Sequence, residues 1–286
     1  MTTPGIEFCI CTFNRVEYLQ KCIDALQPQI IAGKSRIMIV DNNSTDGTKE
    51  FVESRYEAES RIAYIHELKQ GLSNARNTGW KKSDLEWIFY IDDDCIPPEG
   101  IVNEALQLVS SYHDFDAYGG PIHPLYAGDK PEWLPEGFGS VIMHVDDVTE
   151  METGYARGCN FLVKKKVLES LGGFDPDLGP IGKKLMYADE IELQSRMRQA
   201  GYKIAYAPAL KMNHFIRTDK ISLGWILHSE YAKRRDKMAF APITITEGSI
   251  NMLRTVVSRF LWMPVFITRA VTKKNYKWRN VLLDTF

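Results

Sequence analysis

The run Trp87-Ile88-Phe89-Tyr90-Ile91-Asp92-Asp93-Asp94 decides the fold class. Five large apolar residues with no polar alternation read as a strand buried on both faces. That is the habit of parallel sheets covered by helices. Three carboxylates follow immediately. Two like charges about 4 Å apart repel by roughly 1 kcal/mol in water and by more in a crevice, so the run calls for a countercharge. Carboxylate oxygens suit a hard divalent ion, Mn2+ or Mg2+. The alternative is a solvated acidic turn.

Working outward, Phe8–Thr12, Arg36–Val40 and Ile62–His66 read as further strands. Helical patterns separate them. One starts at Asn14, with Glu17 three residues on as in a capping box. A second follows the turn Asp41-Asn42-Asn43-Ser44-Thr45-Asp46-Gly47, with Ser44 or Asp46 as its cap, and a third spans Leu72–Lys82. Pro97-Pro98 opens a helix to about Tyr112, and Ala117–Gly120 returns as a strand. Strand–helix alternation of this kind gives an α/β protein with a mainly parallel sheet flanked by helices. Ligands bind such sheets beyond the carboxyl ends of the strands. The polar groups gather there: Asn14-Arg15, Asp41 and Asp92–Asp94. Arg76, near a helix start, binds a diphosphate in bidentate fashion or serves an ion pair.

The second half is less regular. Pro121–Gly158 is a long excursion with Tyr126, Trp133, Phe138 and His144; Asn160–Val163 reads as a strand, and Lys164–Leu171 and Asp189–Ala200 as helices. Of these aromatic side chains, Trp133 lines a binding site or anchors its own loop. Asp189 and Glu190 start a helix, where adjacent side chains point about 100° apart. Only one of them therefore faces any one site, and at a helix N-terminus the pair complements the helix dipole.

Composition bounds the rest. The chain has 286 residues, 44% hydrophobic and 25% charged, which excludes disordered and collagen-like classes and allows one large domain or two small ones. The net charge of −2 excludes a general nucleic-acid binder. The charge is uneven: residues 250–286 hold seven basic residues and one acid, and residues 1–249 hold 28 basic and 36 acidic ones. Five cysteines show no Cys-x-x-Cys pair or zinc spacing and read as buried thiols. No signal peptide is expected. The longest uncharged apolar run near the C terminus, Phe260–Thr268, has nine residues, short of the ~17 that a spanning helix needs. The expected location is cytoplasmic, at the inner face of a membrane if the basic tail binds lipid.

Taken together, the segments Cys11–Arg15, Ile39–Thr48, Gly71–Gly79, Tyr90–Asp94, Gly158–Phe161, Gly172–Asp175, Ala188–Leu193 and His214 resemble family 2 of the glycosyltransferases, which has the GT-A fold. The resemblance covers about residues 6–215. It implies a nucleotide-sugar half at about 1–120, an acceptor half at about 121–215 and a helical extension at 216–286. It further implies inverting transfer from a nucleoside diphosphate sugar, a UDP-sugar being the first to expect, to a glycan, glycolipid or lipid-linked acceptor in polysaccharide biosynthesis. On the donor side it places Thr12, Asn14, Arg15, Asp41 (base), Asn43, Arg76, and Asp92 or Asp93 (ribose). Asp94, with His214, takes the metal. The general base falls in the acidic pair, which reads Asp189-Glu190 where the family commonly has Glu-Asp, so the position matches Glu190 with Asp189 as the alternative. Trp133 and Asn160 stand as acceptor-side residues.

Two other readings remain at this level. A non-catalytic nucleotide-sugar-binding scaffold is favoured only by the reversed acidic pair. A sugar nucleotidyltransferase would want a glycine-rich basic loop after the first strand, where this chain has Thr12-Phe13-Asn14-Arg15. A processive synthase is disfavoured by the lack of Gln-x-x-Arg-Trp. The tail 250–286 reads as a membrane-surface helix, as a segment packed on the catalytic domain, or as a homodimer interface.

Overall fold

Ile6–Thr12 (β1) is buried at all seven positions. Its side chains alternate between two cores, as a period of two requires. Phe8 and Ile10 join Leu19, Ile23, Ile37 and Phe89 on one face. Cys9 and Cys11 join Val40, Trp80, Tyr90, Phe161 and Leu193 on the other. Each large apolar side chain buried there contributes about 1.5–3 kcal/mol relative to exposure. This double burial makes the strands read as unbroken apolar runs. All five cysteines are buried and free.

The computed structural model describes residues 4–182 and 185–240. The chain runs β1, α1 (Val16–Leu26), β2 (Ser35–Asp41), α2 (Thr48–Tyr56), β3 (Ile62–His66), α3 (Leu72–Lys82) and β4 (Trp87–Asp92). It continues through β5 (Cys95–Ile96), α4 (Ile101–Ser111), β6 (Ala117–Gly119), β7 (Ile122–Tyr126) and β8 (Thr149–Glu150). There follow β9 (Phe161–Lys164), α5 (Lys165–Leu171), α6 (Asp189–Gln199), β10 (Ile204–Tyr206), β11 (Met212–Ile216) and α7 (Leu223–Phe240).

Eight strands form one sheet in the order β3-β2-β1-β4-β9-β6-β10-β8, and β5-β11-β7 form a smaller one. The pairs β1–β2, β2–β3, β1–β4 and β6–β10 are parallel. β9 runs antiparallel between β4 and β6, and β8 antiparallel to β10. The sheet is thus mainly parallel and α/β, as the sequence leads one to expect. Winding proceeds outward from β1 through β2 to β3, then returns to the other side of β1 with β4. That reversal opens a crevice between the ends of β1 and β4, the place where open α/β sheets bind ligands.

The chain groups into two compact units, residues 1–125 with 139–215, and residues 126–138 with 216 onward. All strands of the large sheet belong to the first. In the second, α7 buries Ile226, Ser229 and Ala232 at three-residue spacing. The basic tail, residues 250–286, lies outside the described residues. No described helix is long and apolar enough to cross a membrane.

One local expectation is corrected. Asn14 does not cap α1 in a capping box: Arg15 is the N-cap residue and makes no side-chain cap bond. The Val16 N–H instead donates to Asp46 Oδ2 at 2.9 Å, across from the β2–α2 loop. Asn14 sits in the left-handed region at φ 53, and its Oδ1 accepts the Thr45 N–H at 2.7 Å. Its own N–H donates to Ser44 Oγ. The residue staples two loops rather than one helix.

Candidate active site

The register of the central strands sets a row of polar groups along their carboxyl edge. Thr12 lies opposite Asp41, Asp41 opposite His66, and Cys11 opposite Asp92. Asp41 is almost fully buried. Its Oδ1 accepts the Ser44 N–H at 2.9 Å and its Oδ2 accepts the Tyr64 hydroxyl at 2.7 Å. A cavity of about 280 Å³ opens beside it, with Ser44, Lys49, Tyr64 and His66 among its lining residues. Asn43, at φ 66, places its Oδ1 3.2 Å from His66 Nε2. Its neighbour Asn42 carries more of the structure. Asn42 Nδ2 donates to the Lys69 carbonyl at 2.8 Å and its Oδ1 accepts the Gly71 N–H at 2.7 Å, which fixes the approach to α3.

Across the crevice, the aspartate run is organised by β1 and its loop. Thr12 Oγ1 donates to Asp93 Oδ2 at 2.8 Å, and Arg15 Nη1 to Asp93 Oδ1 at 2.9 Å. The same nitrogen lies 3.5 Å from Asp94 Oδ2. Asp93 and Asp94 are buried, while the Asp92 side chain is 34% exposed. Burial, with the Asp94 charge added, pushes Asp93 up to about 6 against the opposing pull of Arg15. The run is therefore not a solvated turn. Two of its carboxylates are desolvated, and one arginine answers both.

His214 reaches this cluster from β11. It lies opposite Cys95 in the antiparallel pairing of β5 with β11, and its Nε2 is 3.1 Å from Asp94 Oδ1. A carboxylate oxygen and an imidazole nitrogen so placed fit a cation such as Mn2+ or Mg2+. With bonds of about 2.1 Å, adjacent octahedral corners are ~3 Å apart. Among the described residues no group of three His, Cys, Asp or Glu side chains forms a complete cage. Asp94 and His214 would be the residues to hold such an ion, and its charge would offset the buried carboxylates.

The acidic pair occupies the start of α6. Ala188, just before it, is held at φ 81, a conformation costing a residue with a Cβ about 1–2 kcal/mol. Asp189 is 2% exposed and ion-pairs with Arg76 Nη1; Arg76, itself 3% exposed, also approaches Asp92 Oδ1 through Nη2 at 3.4 Å. The Arg76 guanidinium carbon is 5.3 Å from the centroid of the Phe174 ring. A Cβ at position 158 would sit 2.1 Å from Arg76 Nη2, so Gly158 leaves the room this cation needs. Arg76 is thus buried between carboxylates rather than presented to solvent. Glu190 is only part-buried. Burial and the adjoining Asp189 push its carboxyl well above the usual carboxylate range, with Arg76 opposing. Glu192 pairs with Arg196, whose other nitrogens donate to the carbonyls of Leu171 and Gly173. It supports the helix.

Asn160 is fully buried. Its Nδ2 donates to the Leu210 carbonyl at 2.7 Å, which makes it an internal tie between segments. Trp133 belongs to residues 126–138 of the second unit, whereas every other candidate residue belongs to the first. Three supporting residues went unread in the sequence. Tyr64 holds Asp41. Asn77 Nδ2 donates to the Phe174 carbonyl and its Oδ1 accepts the Phe174 N–H. Gln194 pairs with both backbone groups of Ala156 at 2.8 Å. The signal for Gln194 was its place among Leu193 and Met197 on the buried face of α6.

Known proteins resemble this chain in sequence and in fold. Residues 7–172 match the family profile described as glycosyl transferase family 2. Glycosyltransferase AglE of Haloferax volcanii is 27% identical over 215 residues, covering 72% of this chain and 65% of that protein, just under two thirds of its length. Succinoglycan biosynthesis protein ExoM of Rhizobium meliloti is 26% identical over 237 residues, 82% of this chain and 72% of that one. Among solved structures, mannosyltransferase PcManGT of Pyrobaculum calidifontis, in complex with GDP-Man and Mn2+, superposes with a TM-score of 0.60 at 16% identity, covering 100% of this chain and 86% of the other. That likeness places the fold with the GT-A glycosyltransferases.

Proposed function

This chain belongs to glycosyl transferase family 2, and on that premise we propose that it moves a sugar from a nucleoside diphosphate donor to an acceptor hydroxyl, with inversion at the anomeric carbon. The observation that carries this reading is the link made by Arg76 between Asp92 at the end of β4 and Asp189 at the start of α6. It ties the start of α6, where Glu190 follows Asp189, to the end of β4 that carries the aspartate run.

The roles follow from what each side chain is able to do. Asp41 accepts a base N–H, and the exposed carboxylate of Asp92 accepts a ribose hydroxyl. Arg15 lies over Asp93 and Asp94 and keeps donors for the diphosphate, a setting in which planar guanidinium groups bind in bidentate fashion. Asp94 and His214 would hold a divalent cation, which when bound supplies charge neutralisation for the leaving diphosphate. Glu190 takes the acceptor proton. The acceptor oxygen forms a bond to the anomeric carbon, the bond from that carbon to phosphate oxygen breaks, and its electron pair leaves with the diphosphate. A carboxyl whose pKa is raised by burial and a neighbouring carboxylate is a stronger base than a solvated one, and positioned acid–base groups contribute about 10²–10⁴-fold. The acceptor class we favour is a glycan or lipid-linked glycoconjugate; similarity to a protein named for succinoglycan biosynthesis supports it.

The test is donor hydrolysis and thermal shift across a panel of nucleotide sugars, with and without Mn2+, for wild type and Asp94→Ala. One donor is expected to stabilise the wild type in the presence of Mn2+ and to be consumed. Asp94→Ala is expected to lose both effects. Binding of no nucleotide sugar, or full activity of Asp94→Ala, contradicts the reading.

A further inference from the structure

We propose that Arg76 and Asp189 are a positioning pair for this reaction: buried together, they fix the Glu190 carboxylate at the start of α6 without either of them touching the sugar. The inference rests on Glu190 being the base and deepens that reading.

Four observations carry it. Both members are sealed from solvent, at 3% and 2% exposure, so neither is open to an acceptor, while Glu190 is only part-buried. Second, the surroundings are shaped to hold the cation in one place. The Phe174 ring lies 5.3 Å from it, the Phe174 backbone is clasped by Asn77, and position 158 has no Cβ where Arg76 Nη2 lies. Third, adjacent helical residues diverge by about 100°; once Asp189 is turned to Arg76, the direction of Glu190 is fixed. The left-handed Ala188 sets the phase of the helix from which both project. Fourth, a buried ion pair is a poor way to gain stability, because desolvation offsets the attraction. Its retention beside the base fits an orienting role better than a stabilising one.

The same pair acts on the charge state of the base. The charged groups facing Glu190 are Asp189 on its own helix and Arg76 on α3. Asp189 raises the Glu190 pKa and Arg76 lowers it. Removing the Asp189 charge therefore lowers the Glu190 pKa, and removing the Arg76 charge raises it.

The experiment compares wild type, Asp189→Asn, Arg76→Lys, Arg76→Gln and Glu190→Gln, full chain throughout. Glutamate carboxyls labelled with carbon-13 are titrated by NMR, with Glu190 assigned by its disappearance in Glu190→Gln. In parallel, the pH dependence of kcat and KM is measured for Mn2+-dependent hydrolysis of UDP-glucose or GDP-mannose, whichever the wild type consumes. Asp189→Asn is expected to lower kcat about tenfold or more with donor KM within about twofold. It also shifts both the Glu190 titration and the acid limb of kcat to lower pH. Arg76→Gln moves both to higher pH, and Arg76→Lys restores the wild-type titration. If Arg76→Gln fails to fold, the near-isosteric Asp189→Asn and the charge-keeping Arg76→Lys decide alone. An unmoved Glu190 titration in Asp189→Asn overturns the proposal. So does loss of the acid limb in Asp189→Asn with its retention in Glu190→Gln, since Asp189 is then the base. Undiminished turnover by Glu190→Gln together with Asp189→Asn contradicts the assignment of the base itself. The NMR titration does not depend on turnover, so it reports on the pair even if neither donor is consumed.

Discussion

At position 158 a single hydrogen decides where a buried cation sits. A Cβ there would lie 2.1 Å from Arg76 Nη2 and 2.8 Å from its Cζ, so the guanidinium has to move if the position gains one. Gly158→Ala is expected to displace Arg76 from Asp189 and to cost about tenfold in kcat, equivalent to about 1.4 kcal/mol of activation free energy, while the protein remains folded by circular dichroism. Steady-state kinetics beside a urea melt check this. Glu190 adds a pH signature. A base works deprotonated, and this carboxyl is pushed up by burial and by Asp189. The rate is therefore expected to fall as pH drops through a midpoint above the ordinary glutamate value of about 4.3, and Glu190→Gln removes that limb. At this scale the sequence was informative where chemistry demands a residue type. Asp94 meets His214, Arg15 joins Asp93 to Asp94, and Asp41 ends the strand beside β1. Arg76 was legible as a cation but not as a buried one, because only the packing of Phe174 and Gly158 around it determines its partner.

Secondary elements carry the next level. β1, β2, β4 and α3 could be read from apolar runs and helical spacing, because those strands are buried on both faces and the helix packs one face on the sheet; β3, at the sheet edge, is only part-buried. The small sheet escaped notice. β5 is two residues long and β11 mixes Met212, Asn213 and His214, so neither leaves a period to detect, although β11 delivers His214 to Asp94. The start of α1 was misread for a related reason: its N-terminal donor is satisfied by Asp46 from another loop, and no local pattern encodes a partner thirty residues away. Gln194 offers a test of how α6 is held. It is fully buried and satisfies both the N–H and the carbonyl of Ala156. Gln194→Leu keeps the volume but strands two backbone groups, so a loss of about 2–4 kcal/mol is expected, read from the urea midpoint at unchanged slope. A loss below about 0.5 kcal/mol would mean that residues 151–158 are held by other contacts.

For the whole molecule, fold and family follow from eight weakly specific segments arriving in order, and the crevice position follows from the winding of the sheet about β1. The acceptor side was less legible. Trp133 groups with the second unit, and Asn160 is an internal tie. The partner of Asn160, Leu210, lies fifty residues further on, a contact that sequence spacing does not encode. Ligand binding should be visible in global stability. A nucleotide with Mn2+ at about a hundred times its Kd adds about 2.7 kcal/mol. For a catalytic unit of this size that raises Tm by about 5–10 °C, and either component alone is expected to do less. Asp94→Ala and His214→Ala should abolish the metal-dependent part.

The most direct measurement follows the anomeric proton during consumption of an α-linked nucleotide sugar, by NMR at early times, for wild type and Glu190→Gln. The wild type with Mn2+ is expected to release the β anomer first, before mutarotation, and Glu190→Gln to bind the donor but release almost none. Initial formation of the α anomer, or undiminished turnover by Glu190→Gln, would contradict transfer by direct displacement with Glu190 as the base.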